Sequence, residues 1–212
     1  MKEPLDPKPP RRFTEDTLVV ATHNEGKLSE LRPLLEPLGI KILSAKDMDL
    51  PEPDETEGTF VGNAVLKSRA AARCSGYTAL ADDSGLSVET LCGAPGVHSA
   101  RWAINRDHPD APRDFDIAME RVHREMGNSE NRKAQFVCSI ALSWPDGHDE
   151  YVEGTIDGTI VWPPRGDKGF GYDPIFMPDG HDRTFAEMEA AEKEQISHRR
   201  NAIEKILEKC FR

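Results

Sequence analysis

Two aspartates stand side by side in Leu80–Gly85, "LADDSG", directly behind the apolar run "YTALA". Carboxylates are depleted in strands and costly to bury without a partner. Neighbours in a strand face opposite sides, so a strand would send at most one of Asp82 and Asp83 into a given cleft. A turn at the strand's end would free both, and Asp, Ser and Gly are also the ordinary residues of a plain turn. A divalent cation would answer the repulsion between two adjacent negative charges. Mg²⁺ prefers carboxylate oxygens and keeps several of its waters. The acidic loop "DLPEPDETEG" offers a further ligand from Glu52, Asp54, Glu55 or Glu57.

Three other stretches carry residue types suited to one ligand. "THNEGK" (22–27) joins a strand to a helix. Free N–H groups and the helix dipole make such a junction an anion site, and Lys27 adds a movable positive charge. The spacing is not that of a Walker A loop, and an ordinary capped turn is the alternative. "PRGDKGFGYDP" (164–174) sets three glycines around Phe170 and Tyr172. Glycine lets backbone approach a ligand closely, and an aromatic face can stack on a base; a surface loop is the plain reading. In "KEQISHRRNAIEKI", Ser197 is a fitting N-cap, yet the first turn then holds His198, Arg199 and Arg200. Cations oppose the dipole there, so these side chains are either solvated or matched by an anion, with Lys193 close behind.

The elements that must position these residues follow from periodicity. "TLVVA" (17–21) is a β-branched first strand. Leu28, Leu31, Leu34, Leu35 and Leu38 recur at helical spacing between Asn24 and Gly39, with Pro33 and Pro37 predicting a kink or early end. "KILSA" is a second strand. Thr59 and Gly76 bracket a helix over "FVGNAVLKSRAAARCS", and "YTALAD" is a third strand. An amphipathic helix covers "RDFDIAMERVHREMG". "AQFVCSIALSW" alternates as a half-buried strand does, "YVEGTIDGTIV" continues the sheet, and a last helix carries Ile203, Ile206, Leu207 and Cys210. Strands mixed with helices throughout predict a three-layer α/β domain.

Composition narrows the partners. The chain has 212 residues, enough for one sizeable core, and a formal net charge of -11. An acidic surface repels phosphate backbones, so nucleic acid and anionic membranes are not expected partners, whereas a basic pocket within it suits a small anion. No apolar run approaches the ~20 residues of a membrane helix. The first 14 residues read as a loose Pro-rich tail without an apolar signal core, ahead of a single domain over 15–212. Cys74, Cys92, Cys138 and Cys210 show no metal-ligand spacing, in keeping with reduced thiols in a cytoplasmic protein.

A divalent-metal cluster, a phosphate turn, a base-stacking loop and a cationic helix start together make a nucleotide site. The blocks "VVATHNEGK", "TFVGNAVLK", "ALADDSGLSVETLCGAPGVHSARWA", "PRGDKGFGYDPIF" and "ISHRRNA" occur in the order seen in the Ham1-like inosine/xanthosine triphosphate pyrophosphatases. The chain resembles that family from about residue 17 to 208. The resemblance implies an elongated mixed sheet in two lobes with a cleft between them, a homodimer, Mg²⁺, and hydrolysis of ITP, dITP and XTP to monophosphate and pyrophosphate. Carried over by motif, Thr22, His23, Asn24, Glu25, Gly26 and Lys27 would hold phosphates. Asp83 would be the metal-linked general base with Asp82 in support, and Ser84 would touch substrate. Phe170, Gly171, Tyr172 and Asp173 would form the base pocket, completed by Lys193, His198 and Arg199, with Asn63 and Arg101 in matching blocks. Glu55 is the preferred second metal carboxylate, with Glu52 and Glu57 as alternatives.

Overall fold

The computed structural model describes residues 9–108 and 111–212, apart from the side chain of Glu25. The β-branched run forms β1 (Thr17–Val20), and the leucine-rich stretch forms α1 (Glu25–Leu35), capped by Asn24. Pro33 is accommodated within α1. Pro37 lies in a short 3₁₀ turn that follows, where Gly39 takes the left-handed conformation a C-cap requires. Next come β2 (Lys41–Ser44) and α2 (Phe60–Ser75), the latter bracketed by Thr59 and Gly76 as the sequence predicts. Then follow β3 (Ala79–Val88), the short α3 (Ser99–Trp102), α4 (Phe115–Met126), β4 (Lys133–Ser143) and β5 (Asp149–Ile160). A three-residue β6 (Phe176–Pro178), α5 (Ala190–Ile196) and α6 (His198–Cys210) complete the chain.

The strands form one mixed sheet in the order β2-β1-β3-β4-β5-β6. β1 runs parallel to β2 and β3, and the remaining pairs are antiparallel. The β1–β3 pairing lasts only two residues, Val19↔Ala79 and Val20↔Leu80, and ends where the Ala21 N–H donates to the Leu80 carbonyl. Past that point no strand among the described residues lies beside the outer edge of β3, and a single bridge, Ser87↔Pro95, pairs it later in the strand. Further on, Ser99 Oγ and the Ala94 carbonyl take the Leu86 and Val88 N–H groups. The stretch from Ala81 to Gly85 therefore opens onto a cleft.

One apolar cluster lies between the sheet and α1 with α6, built on Leu18, Leu31, Leu80, Ile140 and Ile203. A second, with Val19, Ala71 and Ala79, lies under α2. A third fills the far lobe around α4, Phe136, Phe176 and Phe185. β4 was expected to be half-buried, and it is buried along nearly its whole length. The side-chain alternation is as expected, but the small face of Ser139, Ala141 and Ser143 is covered as well, because α2 packs on it. None of the described helices is long and apolar enough to cross a membrane.

Of the segment read as a tail, residues 9–14 are described, and Arg11–Phe13 dock on the body. The Arg11 guanidinium lies 4.6 Å from the Trp144 ring centroid, and the Arg11 N–H donates to Glu150 Oε1 at 2.9 Å. Phe13 stacks on Phe211 at 4.7 Å, and its N–H donates to the Cys210 carbonyl at 2.7 Å. The segment thus clasps the end of α6. Removing residues 1–13 should lower unfolding stability by about 1–3 kcal/mol, a shift of several degrees in Tm for a chain of this size. A thermal melt superimposing on that of the full chain would show that the clasp contributes nothing.

Candidate active site

"LADDSG" is neither a turn nor a strand end. It lies inside β3, paired with β4 from Ala79↔Ser143 to Val88↔Ala134. Strand alternation therefore separates the two aspartates: Asp82 faces the α1/α6 layer and Asp83 faces α2. Both nevertheless line one cavity of about 510 Å³, because the edge of β3 between them is open. The expectation that only one could reach a given cleft fails for this reason.

On the α2 side, Asn63 and Lys67 stand one helical turn apart. Asn63 Nδ2 donates to Asp83 Oδ2 at 3.1 Å. Lys67 Nζ lies 3.4 Å from Asp83 Oδ1 and 2.7 Å from Glu55 Oε1. The Glu57 N–H donates to Asn63 Oδ1, which fixes the amide, and Arg101 donates to the Glu55 carbonyl. Burial raises the pKa of Asp83 above the usual carboxylate value, and Lys67 offsets only part of that rise. Burial also pushes Glu55 upward, but the ammonium of Lys67 wins and Glu55 lies below its ordinary value. Lys67 itself is raised: burial opposes its charge, and Asp83, Asp82 and Glu55 outweigh the burial.

On the α1/α6 side, Asp82 Oδ2 faces Lys27 Nζ at 2.9 Å, accepts from Ser84 Oγ at 2.7 Å and lies 3.8 Å from Arg199 Nε. Asp82 is fully desolvated, yet these cations hold its pKa well below the usual range. Arg199 also pairs with Glu30 and donates to Ser84 Oγ at 3.3 Å. Lys193 Nζ sits 2.6 Å from Asp173 Oδ2 and 4.8 Å from the Phe170 ring centroid. Asp173 accepts the Phe170 N–H at 2.8 Å, and burial raises its pKa against the pull of Lys193. The anion expected at the start of α6 is thus present as protein carboxylates, Glu30 and Asp82. His198 in the same turn is buried and stacks on Phe136 at 4.9 Å. Burial, with Arg199 and Lys193 beside it, keeps the imidazole neutral.

Other sequence candidates divide. Thr22, Asn24 and Lys27 line the cavity. Asn24 Oδ1 accepts the Lys27 N–H at 3.2 Å, so that helix N–H is already engaged. Gly26 packs beside the Phe170 ring. His23 instead faces a neighbouring cavity bounded by Ser44–Leu50, and the Glu25 side chain lies outside the described residues. Tyr172 offers no open stacking face. It is buried, donates its hydroxyl to the Ser99 carbonyl at 2.9 Å and meets Phe115 edge-on. Tyr172 borders the cavity, but Phe170, 39% exposed, is the most exposed of the rings that line it. Gly171, Ser84 and Arg101 also line it.

Sequence reasoning gave no role to Lys67 or Glu30. Lys67 carried one signal, its i,i+4 relation to Asn63 on a helix running beside the paired aspartates. Glu30 lies one turn beyond Lys27 in an otherwise leucine-patterned helix.

No cluster of three His, Cys, Asp or Glu able to hold a metal occurs among the described residues. Asp83 and Glu55 do converge on one cationic position, that of the Lys67 ammonium. Two carboxylates suit Mg²⁺, which takes its remaining ligands from water and substrate phosphates. The electrostatics can be tested directly. The Asp83 carboxyl, followed by carbon-detected NMR, should titrate above 3.8. In Lys67→Met it should titrate higher still, since the main opposing charge is gone. A titration at or below 3.8 in both proteins would refute this account of the site.

The Ham1 family model matches residues 18–209. A dITP/XTP pyrophosphatase of Rhodospirillum centenum is 56% identical over 205 residues, covering 95% of this chain and 98% of the relative. One of Ruegeria pomeroyi is 53% identical over 204 residues, with the same coverage. The solved structure of a HAM1 protein from Coxiella burnetii superposes with a TM-score of 0.82 at 39% identity, covering 91% of this chain and 96% of that one. With this sheet, this cleft and a match along nearly its whole length, the chain belongs to the Ham1 family.

Proposed function

We propose that the protein hydrolyses the deaminated purine nucleoside triphosphates ITP, dITP and XTP to the nucleoside monophosphate and pyrophosphate. The relatives named dITP/XTP pyrophosphatase support the reaction class. The observation that carries it here is the division of labour across β3. Asp83 is a carboxylate with a raised pKa on one face, and Asp82 is a permanently ionised one among cations on the other.

Substrate phosphates are drawn to Lys27, Lys67 and Lys193, each of which lines the cavity while paired to a carboxylate. Mg²⁺, held by Asp83 and Glu55, would supply charge stabilisation to the triphosphate. Asp83 accepts the proton of a water that attacks the α-phosphorus, and the bond from that phosphorus to the bridging oxygen breaks to release pyrophosphate. Asn63 and Lys67 orient the Asp83 oxygens, and positioning of this kind supplies much of the rate of such reactions. At the other end, the Phe170 ring offers the base a stacking face. Neutral His198 can act as acceptor or donor, and the backbone N–H groups around Gly171 suit a 6-keto oxygen. Adenine sets an amino donor there, and an unmatched buried donor costs about 1–3 kcal/mol.

Pyrophosphate release from ITP, dITP and XTP should exceed that from ATP and should stop with EDTA. Asp83→Asn should lose at least ~100-fold in kcat while melting like the wild type. Near-normal turnover by that variant would remove Asp83 as the base. Equal rates on ATP and ITP would remove the substrate assignment.

A further inference from the structure

The residues opposite one another on β3, β4 and β5 include the row Ser84, Cys138 and Gly154. This row lies on the sheet face that α6 covers. At its β5 end the first turn of α6 rests on backbone alone. An added carbon at Gly154 would overlap the Ala202 nitrogen and the His198 carbonyl oxygen, and would lie 2.8 Å from the Ala202 Cα. All three are backbone atoms of a helix held by the fully buried Ala202, Ile203 and Ile206, so none can swing aside as a side-chain tip would. At the row's other end, Arg199 reaches across to Ser84 Oγ at 3.3 Å. His198 in the same turn lies flat on Phe136.

We propose that Gly154 is a positioning residue for the nucleotide site: by having no side chain it lets the first turn of α6 sink onto the sheet, and that depth seats His198 against Phe136 and Arg199 against Ser84 and Asp82. The inference rests on the proposed pyrophosphatase reading for its kinetic consequence but not for its structural one. Gly154 lies on β5, two strands away from the paired aspartates, and does not itself line the cavity. A methyl group there must lift the turn or bend the strand. A displacement near 1 Å moves both His198 and Arg199 out of register with the base and with Asp82, and shifts of that size cost up to ~100-fold in well-positioned sites.

The test compares Gly154→Ala with Met126→Ala, a core truncation at the far end of α4 chosen to destabilise without touching α6. At a temperature where both are folded, Gly154→Ala should raise KM for ITP about tenfold or more with a smaller change in kcat. Met126→Ala should leave both constants within about twofold of wild type. The ring-proton NMR shifts of His198, set by the Phe136 ring beneath it, should move in Gly154→Ala and stay in place in Met126→Ala. Cys138→Val adds bulk under the same turn from β4 and should give a smaller effect of the same kind; it carries the test if Gly154→Ala does not fold. Unmoved His198 resonances, or equal kinetic effects of the α6-facing and control variants, overturn the inference. Wild-type protein that releases no pyrophosphate from ITP defeats the proposed function instead, and the ring-proton shifts still decide the role of Gly154.

Discussion

The site depends on the two-residue alternation of β3 at a place where its edge is bare. Asp82 and Asp83 would repel each other if both faced the same space. The pleat sends one to each side of the sheet, and each meets its own cations: Lys27 and Arg199 for Asp82, Lys67 for Asp83. Because β1 stops at Val20, no strand among the described residues covers that edge, and both carboxylates still border the cleft. A buried strand with an open edge thus does what a turn would otherwise have to do. It adds a rigidity that a turn lacks, since β3 is paired along its full length with β4.

The three lysines of the cavity and Arg199 are each matched by carboxylates, with Asp82 serving Lys27. Glu30 serves Arg199 and Lys193, Asp173 serves Lys193, and Glu55 serves Lys67. Burying unpaired ammonium or guanidinium groups at this density would be costly, so the protein carries counter-charges that an arriving triphosphate can replace. The arrangement also explains why an acidic chain can hold a polyanion. Its net charge of -11 describes the whole molecule, while one cleft gathers Lys27, Lys67, Arg101, Arg113, Lys193 and Arg199.

Close backbone packing carries this polar arrangement. α6 brings His198 and Arg199 to the cleft only because its first turn lies directly on Gly154. The far end of the same helix is held through Phe211 and Cys210 by the clasp of Arg11–Phe13. The helix is therefore anchored at both ends, by a missing side chain at one and an added segment at the other.

Much of this was legible in the sequence. Asn24, Thr59 and Ser197 cap their helices as their types predict, and Gly39 and Gly76 end theirs, because capping is a local matter settled within a few residues. The four stretches with chemical character, "THNEGK", "LADDSG", "PRGDKGFGYDP" and "ISHRRNA", do converge on one cavity. What the sequence could not decide was which way each side chain points. Asp-Asp-Ser-Gly has turn chemistry, and only the long ladder with β4 overrides it into strand. Tyr172 and Phe170 are both aromatic beside glycine, and the packing of Ser99 and Phe115 against Tyr172 buries it while Phe170 stays open to the cleft. Lys67 and Glu30 received no role from the sequence, because only tertiary contact sets each opposite a buried charge. Residue type and spacing fix local conformation and the inventory of charges; burial, pairing and exposure arise between segments distant in the chain, and these set the protonation and orientation on which the chemistry rests.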